Sequence, residues 1–261
     1  MPSPSWPGDP VARPLDGMPL RVPPVPAAVN PHPVLYLAAT GSSLQGAHDR
    51  VGVIVGPRVR GLRPIKEGRA WASDNDAYHD KFREAAFDVH LARLLPYADR
   101  CLFVALPDYR HDPDSTLALW HAYAPTFAAQ WPFPRAYVAQ TGCTPSQIPG
   151  DADWLFLAGE DAWREGPAGR DLILHAHEEL GIPTHVGRVN SAQRLMRFSH
   201  TPGVRSADGT YLAFQGVERG LADIAGWLDL AETHRIPPLL RDWLACPATE
   251  GVPNPGAGIT G

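Results

Sequence analysis

The stretch CLFVALPDYRHDPDSTLALWHAYAPTFAAQWPFPRAYVAQ, Cys101 to Gln140, decides the fold. It opens on an apolar run (101–107), passes a cluster of Asp and Pro, continues through "DPDSTLALWHAYAPTFAAQ", and closes on a second apolar run, "RAYVA" (135–139). Short β-branched or aromatic runs bounded by polar residues read as strands, and the acidic start of the middle segment suits a helix N-terminus. A strand, a helix and a strand, with both strands apolar almost throughout, form a unit whose strands lie parallel and are covered on both faces.

Working outward, the same kind of run recurs at "VLYLAAT" (34–40), "VGVIVG" (51–56), "RAWAS" (69–73), "WLFLAG" (154–159), "PTHVG" (183–187) and "VRSA" (204–207). Helices are predicted for "DKFREAAFDVHLARLLPYA", with Phe82, Ala85, Ala86, Val89, Leu91 and Leu94 on an apolar face, and for "AGRDLILHAHEELG", closed by Gly181. "SAQRLMRFSHTPG" and "GLADIAGWLDL" complete the series. Eight strands alternating with helices predict an α/β fold, a somewhat irregular (β/α)8 barrel. No helix is visible between the second and third strands, and a doubly wound open sheet is the alternative. No Gly-rich phosphate fingerprint follows the first strand, which weighs against a dinucleotide-binding sheet.

The chain has 261 residues, 44% of them hydrophobic, enough for one barrel-sized domain, which we place at 34–245. The Pro-rich segment 1–33 and the Pro- and Gly-rich tail 246–261 lack apolar periodicity and are expected to be disordered or draped on the surface. The first residues have no apolar signal core and no run is long enough to span a bilayer, so a soluble, cytoplasmic protein without membrane partners is expected. Cys101, Cys143 and Cys246 lack paired spacing and are expected to be reduced and structural.

A net charge of −5 argues against a generic polyanion binder, whose affinity comes from many cations displacing counterions. Locally the balance reverses. Arg50, Arg58, Arg60, Arg63, Lys66 and Arg69 face only Glu67 in one stretch, and Arg188, Arg194, Arg197 and Arg205 stand in another without any acid. Solvated loops and a phosphate-facing surface both fit such segments.

In a (β/α)8 barrel, chemistry gathers where the C-terminal strand ends open onto one mouth. The residues at those ends are Thr40 with Ser42, Asp74, Asp108, Gln140, Gly159, Arg188 and Asp208. Any single aspartate there is more often a turn or helix-cap residue, the reading we give to Asp76, Asp80, Asp112 and Asp114. Three aspartates and a glutamine converging on one cavity form a candidate site. Counted from Asp74, a calcium loop fails, because His79 stands where its glycine belongs. His32 and the His175/His177 pair lack a zinc ligand set, and Cys143 has no identifiable histidine base.

Taken together, "WASDNDAY", "LFVALPD", "YVAQTG", "LFLAGE", "THVGRVNSAQRL" and "SADGTYLAF" resemble the tRNA-guanine transglycosylase superfamily, and most closely its short phage and bacterial branch linked to insertion of 7-deazaguanines into DNA. The similarity runs in order from about Val34 to Leu228. It implies a (β/α)8 barrel that exchanges guanine in a polynucleotide for a 7-substituted deazaguanine such as preQ0. It further implies Asp208 as the nucleophile toward C1′ and Asp74 as an acid/base near the reacting sugar. Asp108 and Gln140 would recognise the base, and Gly159 would contact the purine through its backbone. Arg188, at a strand end in an acid-free stretch, joins them as a substrate-binding candidate.

No cofactor or metal is expected, and the partners implied are nucleic acid, free deazaguanine base and, in some settings, an accessory protein. Two departures stand out. The Cys-rich zinc subdomain of the tRNA-modifying members has no counterpart beyond Cys246, which favours DNA over tRNA as substrate, and Asn75–Asp76 replace a pair that is commonly Gly-rich. Exchange on tRNA, a noncatalytic nucleobase- or nucleic-acid-binding role and hydrolysis of a small nucleoside are the alternatives.

Overall fold

The computed structural model of the chain describes residues 33–77 and 82–232. The proline-rich start through His32, the segment 78–81 with Asp80, and the expected tail with Cys246 lie outside the described residues.

Eight strands form a closed barrel in sequence order, all parallel. They are β1 (Leu35–Ala38), β2 (Val51–Val55), β3 (Trp71–Ser73), β4 (Cys101–Ala105), β5 (Arg135–Ala139), β6 (Trp154–Leu157), β7 (Thr184–Val186) and β8 (Val204–Gly209). Closure joins β8 to β1, with Leu37 opposite Asp208. The helices are α1 (Arg63–Lys66), α2 (Glu84–Leu94), α3 (Pro113–Gln130), α4 (Asp161–Arg164), α5 (Pro167–Glu178), α6 (Ala192–Ser199), α7 (Tyr211–Gln215) and α8 (Val217–Glu232). The barrel excludes the open-sheet alternative.

Side chains alternate across each strand, so the barrel sorts its residues by parity. Leu37, Ile54, Ala72, Phe103 and Ala136 make a separate inner cluster, joined by Leu35, Trp154 and Phe156. Their neighbours Tyr36, Val53, Trp71, Val104, Tyr137, Leu155, Val186 and Ala207 belong to the outer core, shared with helix residues such as Phe87, Trp120, Leu172 and Ile224. This parity positions the mouth, because a residue two beyond an inward one points inward again.

Local chemistry sets the helix boundaries. Asp112 caps α3, its carboxylate accepting from the Ser115 amide at 2.9 Å, and Pro113 occupies the first turn, where its missing N–H costs nothing. Ser191 caps α6 in the same way. Beyond α5, Gly181 takes the left-handed conformation at φ 67° that lets the chain turn toward β7.

The structure corrects the sequence reading in three places. A helix does separate β2 from β3, but α1 is a single turn anchored by buried Pro64 and Ile65, too short to show periodicity. The buried face of α2 is Phe87, His90, Leu91 and Leu94, whereas Val89 is 65% exposed and Ala85 and Ala86 are also exposed. The short helices α4 and α7, which follow β6 and β8, were not foreseen.

Several arginines of the two basic stretches are structural. Arg69 donates to four backbone carbonyls: Nη1 to His48 and Val51, and Nη2 to Leu44 and Ala47, at 2.9–3.3 Å. This guanidinium takes the place of secondary structure for the loop between β1 and β2. Arg69→Ala should lower the unfolding free energy by about 3 kcal/mol, since buried acceptors lose a charged donor. Chemical denaturation at constant m-value would measure it. Arg50 binds the Leu228 carbonyl and pairs with Glu232 at 2.9 Å, while Arg194 and Arg197 pair with Glu165, each at 2.7 Å.

Candidate active site

The C-terminal strand ends enclose a cavity of about 430 Å³. Asp74, Asp108, Gln140, Gly159, Arg188 and Asp208 all line it, so the structure brings together every strand-end candidate from β3 to β8. Thr40 and Ser42 are not among its lining residues. Parity explains part of the convergence: Asp74 follows inward Ala72, Gln140 continues Ala136 and Val138, and Asp208 follows Ser206.

Asp76, read from sequence as a turn residue, also lines the cavity. It holds a left-handed backbone at φ 59° and accepts from the Arg58 amide and guanidinium, both at 3.1 Å. The second acid beside the mouth is thus paired with a cation from the β2 loop. Arg58, Arg110, Arg164 and Arg188 bring four guanidinium groups to a cavity that also holds four carboxylates.

One hydrogen-bonded chain links the acids of β3 and β4. The Asn75 backbone amide donates to Asp74 Oδ1 at 2.7 Å, while its side-chain amide donates to the Leu106 carbonyl at 2.6 Å and to Asp108 Oδ1 at 2.8 Å. Asp108 Oδ2 accepts from Gln140 Nε2 at 2.6 Å. Asp108 therefore carries one amide donor on each oxygen and keeps further lone pairs for a ligand. Its pKa is raised by burial, a tendency that the Asn75 and Gln140 donors oppose.

Asp74 sits in the more demanding environment. Burial first, and then the negative fields of Asp208, Asp76 and Asp108, push its pKa up to about 7. Near neutrality this carboxyl can hold or release a proton, the property required of a general acid/base.

Asp208 has a different set of partners. Its Oδ1 lies 3.2 Å from His185 Nε2, and His185 Nδ1 lies 2.8 Å from Ser206 Oγ. The chain turns tightly after it. A Cβ on Gly209 would stand 2.6 Å from the Val189 carbonyl oxygen and 2.7 Å from the Tyr36 hydroxyl, and closer still to Asn190 Oδ1. Asn190 Oδ1 in turn accepts from the Thr210 amide at 2.7 Å, fixing the strand exit.

Gly159 owes its place to conformation as well as to space. Its φ is 72°, and a Cβ there would meet the Thr141 amide nitrogen at 2.8 Å. Its carbonyl accepts from Arg164 Nη1 at 2.9 Å, and Arg164, held by Asp161 at 2.7 Å, is 1% exposed. Asn75 enters the sequence reading only as a departure, and Arg164, Asn190, His185 and Ser206 escaped it. For the last two a signal existed, since "THVG" and "VRSADG" each place a polar residue at an inward position.

Cys143 is buried, and burial pushes its thiol up to about 11, which suits a packed side chain rather than a nucleophile. The His175/His177 pair lies in α5. Among the described residues, no group of three His, Cys, Asp or Glu side chains is arranged to hold a metal ion, and no helix is long and apolar enough to cross a membrane.

No family model matches the chain, and no curated protein matches it. Among solved structures, L-talarate dehydratase from Polaromonas sp. JS666, complexed with Mg and L-glucarate, is similar at 12% identity and a TM-score of 0.42. The match covers 72% of this chain and 54% of that one, so the chain spans about half the dehydratase's length. A likeness of this degree carries no inference about the chemistry of the cavity.

Proposed function

We propose that the protein is a base-exchange transglycosylase that replaces guanine in a nucleic acid, DNA in preference to tRNA, by a 7-deazaguanine such as preQ0. The observation that carries this reading is the proximity of a proton-holding carboxyl, Asp74, to Asp208 in a cavity that also contains the Asp108–Gln140 pair. The six ordered motifs that resemble the transglycosylase superfamily support the same roles.

In this reading Asp208 attacks C1′ of the target nucleoside through its free oxygen. The C1′–N bond breaks, its electron pair goes to the departing guanine, and Asp74 supplies the proton that neutralises it. The covalent sugar–aspartate intermediate follows the two-step logic of retaining glycosyl transfer. The incoming deazaguanine then gives its N–H proton to Asp74 as its nitrogen attacks C1′, and Asp208 leaves with the electron pair of the ester bond. Asp108 accepts from the N–H edge of the base, and Gln140 can donate its second amide hydrogen.

A cavity of about 430 Å³ suits one nucleoside unit, which a duplex would have to supply by flipping the base from its stack. Arg110 and Arg188, which line the cavity and are exposed, suit the flanking phosphates. Labelled deazaguanine offered with separate DNA and tRNA pools, with and without cell extract to supply accessory proteins, should enter DNA. Label in tRNA alone would reassign the substrate, free guanine without incorporation would make the protein a hydrolase, and neither release nor incorporation would refute the proposal.

A further inference from the structure

Beneath the mouth, one polar line runs through the inner layer of the barrel. Ser206 and His185 are each 0% exposed, and with Asp208 they form a file of hydrogen-bonded groups that ends at the cavity. The imidazole stands edge-on to Phe156, with ring centroids 4.5 Å apart, and 4.9 Å from Phe103. Two aromatic rings therefore fix its plane, and Asp208, with its side chain 20% exposed, is the only member open to the cavity.

Stability does not account for this file. An imidazole packed on Phe103 and Phe156 and a buried hydroxyl gain little over a pair of apolar side chains of the same shape, because their hydrogen bonds only replace those made to water. Their arrangement has a direction. An ionised carboxylate can only accept, so Nε2 must carry the proton shared with Asp208 Oδ1. Nδ1 of the neutral ring is then an acceptor, and the Ser206 hydroxyl is in place to donate to it.

We infer that His185 is a positioning residue, its tautomer set by the Asp208 carboxylate and its ring held from the other side by Ser206, that ties down one oxygen of Asp208 and leaves the other aimed into the cavity. This rests on the reading of Asp208 as nucleophile. As the covalent bond forms through Oδ2, Oδ1 becomes the ester carbonyl oxygen and keeps its donor, so the carboxylate need not rotate in either half-reaction. The Nε2 proton stays on the ring throughout.

The test compares His185→Phe, which fits the aromatic surroundings but cannot donate, with His185→Gln, which can. His185→Phe should lose about 10- to 100-fold in kcat, the worth of one hydrogen bond to a charged group. KM for the free base should be unchanged, and the melting temperature should fall only modestly, because the buried Ser206 hydroxyl loses its partner, so rates are compared where both proteins are fully folded. His185→Gln should recover most of the rate. Wild-type turnover in His185→Phe, or a loss that only tracks lost stability, would overturn the assignment. Nitrogen-15 NMR of the imidazole reads the same inference without turnover: Nε2 should be protonated and should shift in Asp208→Asn. An unprotonated Nε2 would overturn it even in a protein that proves not to exchange bases, whereas absent exchange with a protonated Nε2 would count against the transglycosylase reading alone.

Discussion

Asp208→Asn should stop the proposed base exchange, with the rate falling at least about a thousand-fold, the scale on which enzymes lose turnover when a covalent nucleophile is removed. The substitution changes one atom and leaves a carbonyl oxygen able to accept from His185 Nε2, so the melting temperature should stay close to wild type. Intact-mass measurement after mixing with a guanine-containing oligonucleotide should find a covalent adduct on the wild-type protein and none on the variant. Turnover retained by a folded Asp208→Asn would remove Asp208 from the chemistry and leave Asp74 without a partner.

Asp74→Asn should move stability and activity in opposite directions. In the folded protein the carboxyl titrates at about 7, against an ordinary value of 3.8. Between these values the folded state keeps a proton that the unfolded chain has released, so stability falls as pH rises through the window and levels off above it. About three pKa units at about 1.36 kcal/mol each set an upper bound of about 4 kcal/mol on the penalty. The amide cannot ionise, so the variant should be more stable than wild type by up to that amount above about pH 7 and indistinguishable from it below about pH 4. Exchange should drop by about a hundred- to ten-thousand-fold, the usual contribution of a general acid/base. Thermal melts of both proteins across this range, beside single-turnover rates, make the comparison. A wild-type stability that rises with pH through the window would contradict the assigned environment. The gain in stability has the same origin as the loss of rate, since burial first, and the neighbouring carboxylates second, oppose the ionised form of Asp74 until it is replaced.

The barrel was legible because the segment from Cys101 to Gln140 and its counterparts follow rules that reach only a few residues. Apolar runs of strand length, helix starts such as Asp112–Pro113 and a left-handed Gly181 each announce themselves locally. The one-turn α1 did not, since four residues cannot display a helical period, and Val89 misled because its β-branched side chain faces solvent on α2. The strand-end candidates were legible for a topological reason: once the strands are parallel and closed, their C-terminal ends must share a mouth.

Residues that act through pairing across the barrel were hidden. His185 and Ser206 become neighbours through the register of β7 on β8, which places them opposite one another across the irregularity between Thr184 and His185. Arg69 and Arg194 looked like candidates for a phosphate surface until their carbonyl and carboxylate partners, all distant in sequence or in neighbouring loops, were in view.

Asn75 spends both of its side-chain amide hydrogens on Leu106 and Asp108, and its side-chain oxygen accepts from the Ala77 amide, so it has no donor left for a ligand. It acts as a rivet between the carboxyl that holds a proton and the carboxyl that would read a base. The two cannot be relocated independently: a change made at Asp108 to accept a different heterocycle would be transmitted through one residue to the spot from which Asp74 would deliver its proton. If the barrel exchanges bases as proposed, selectivity and speed would be mechanically geared, and altering one would re-tune the other.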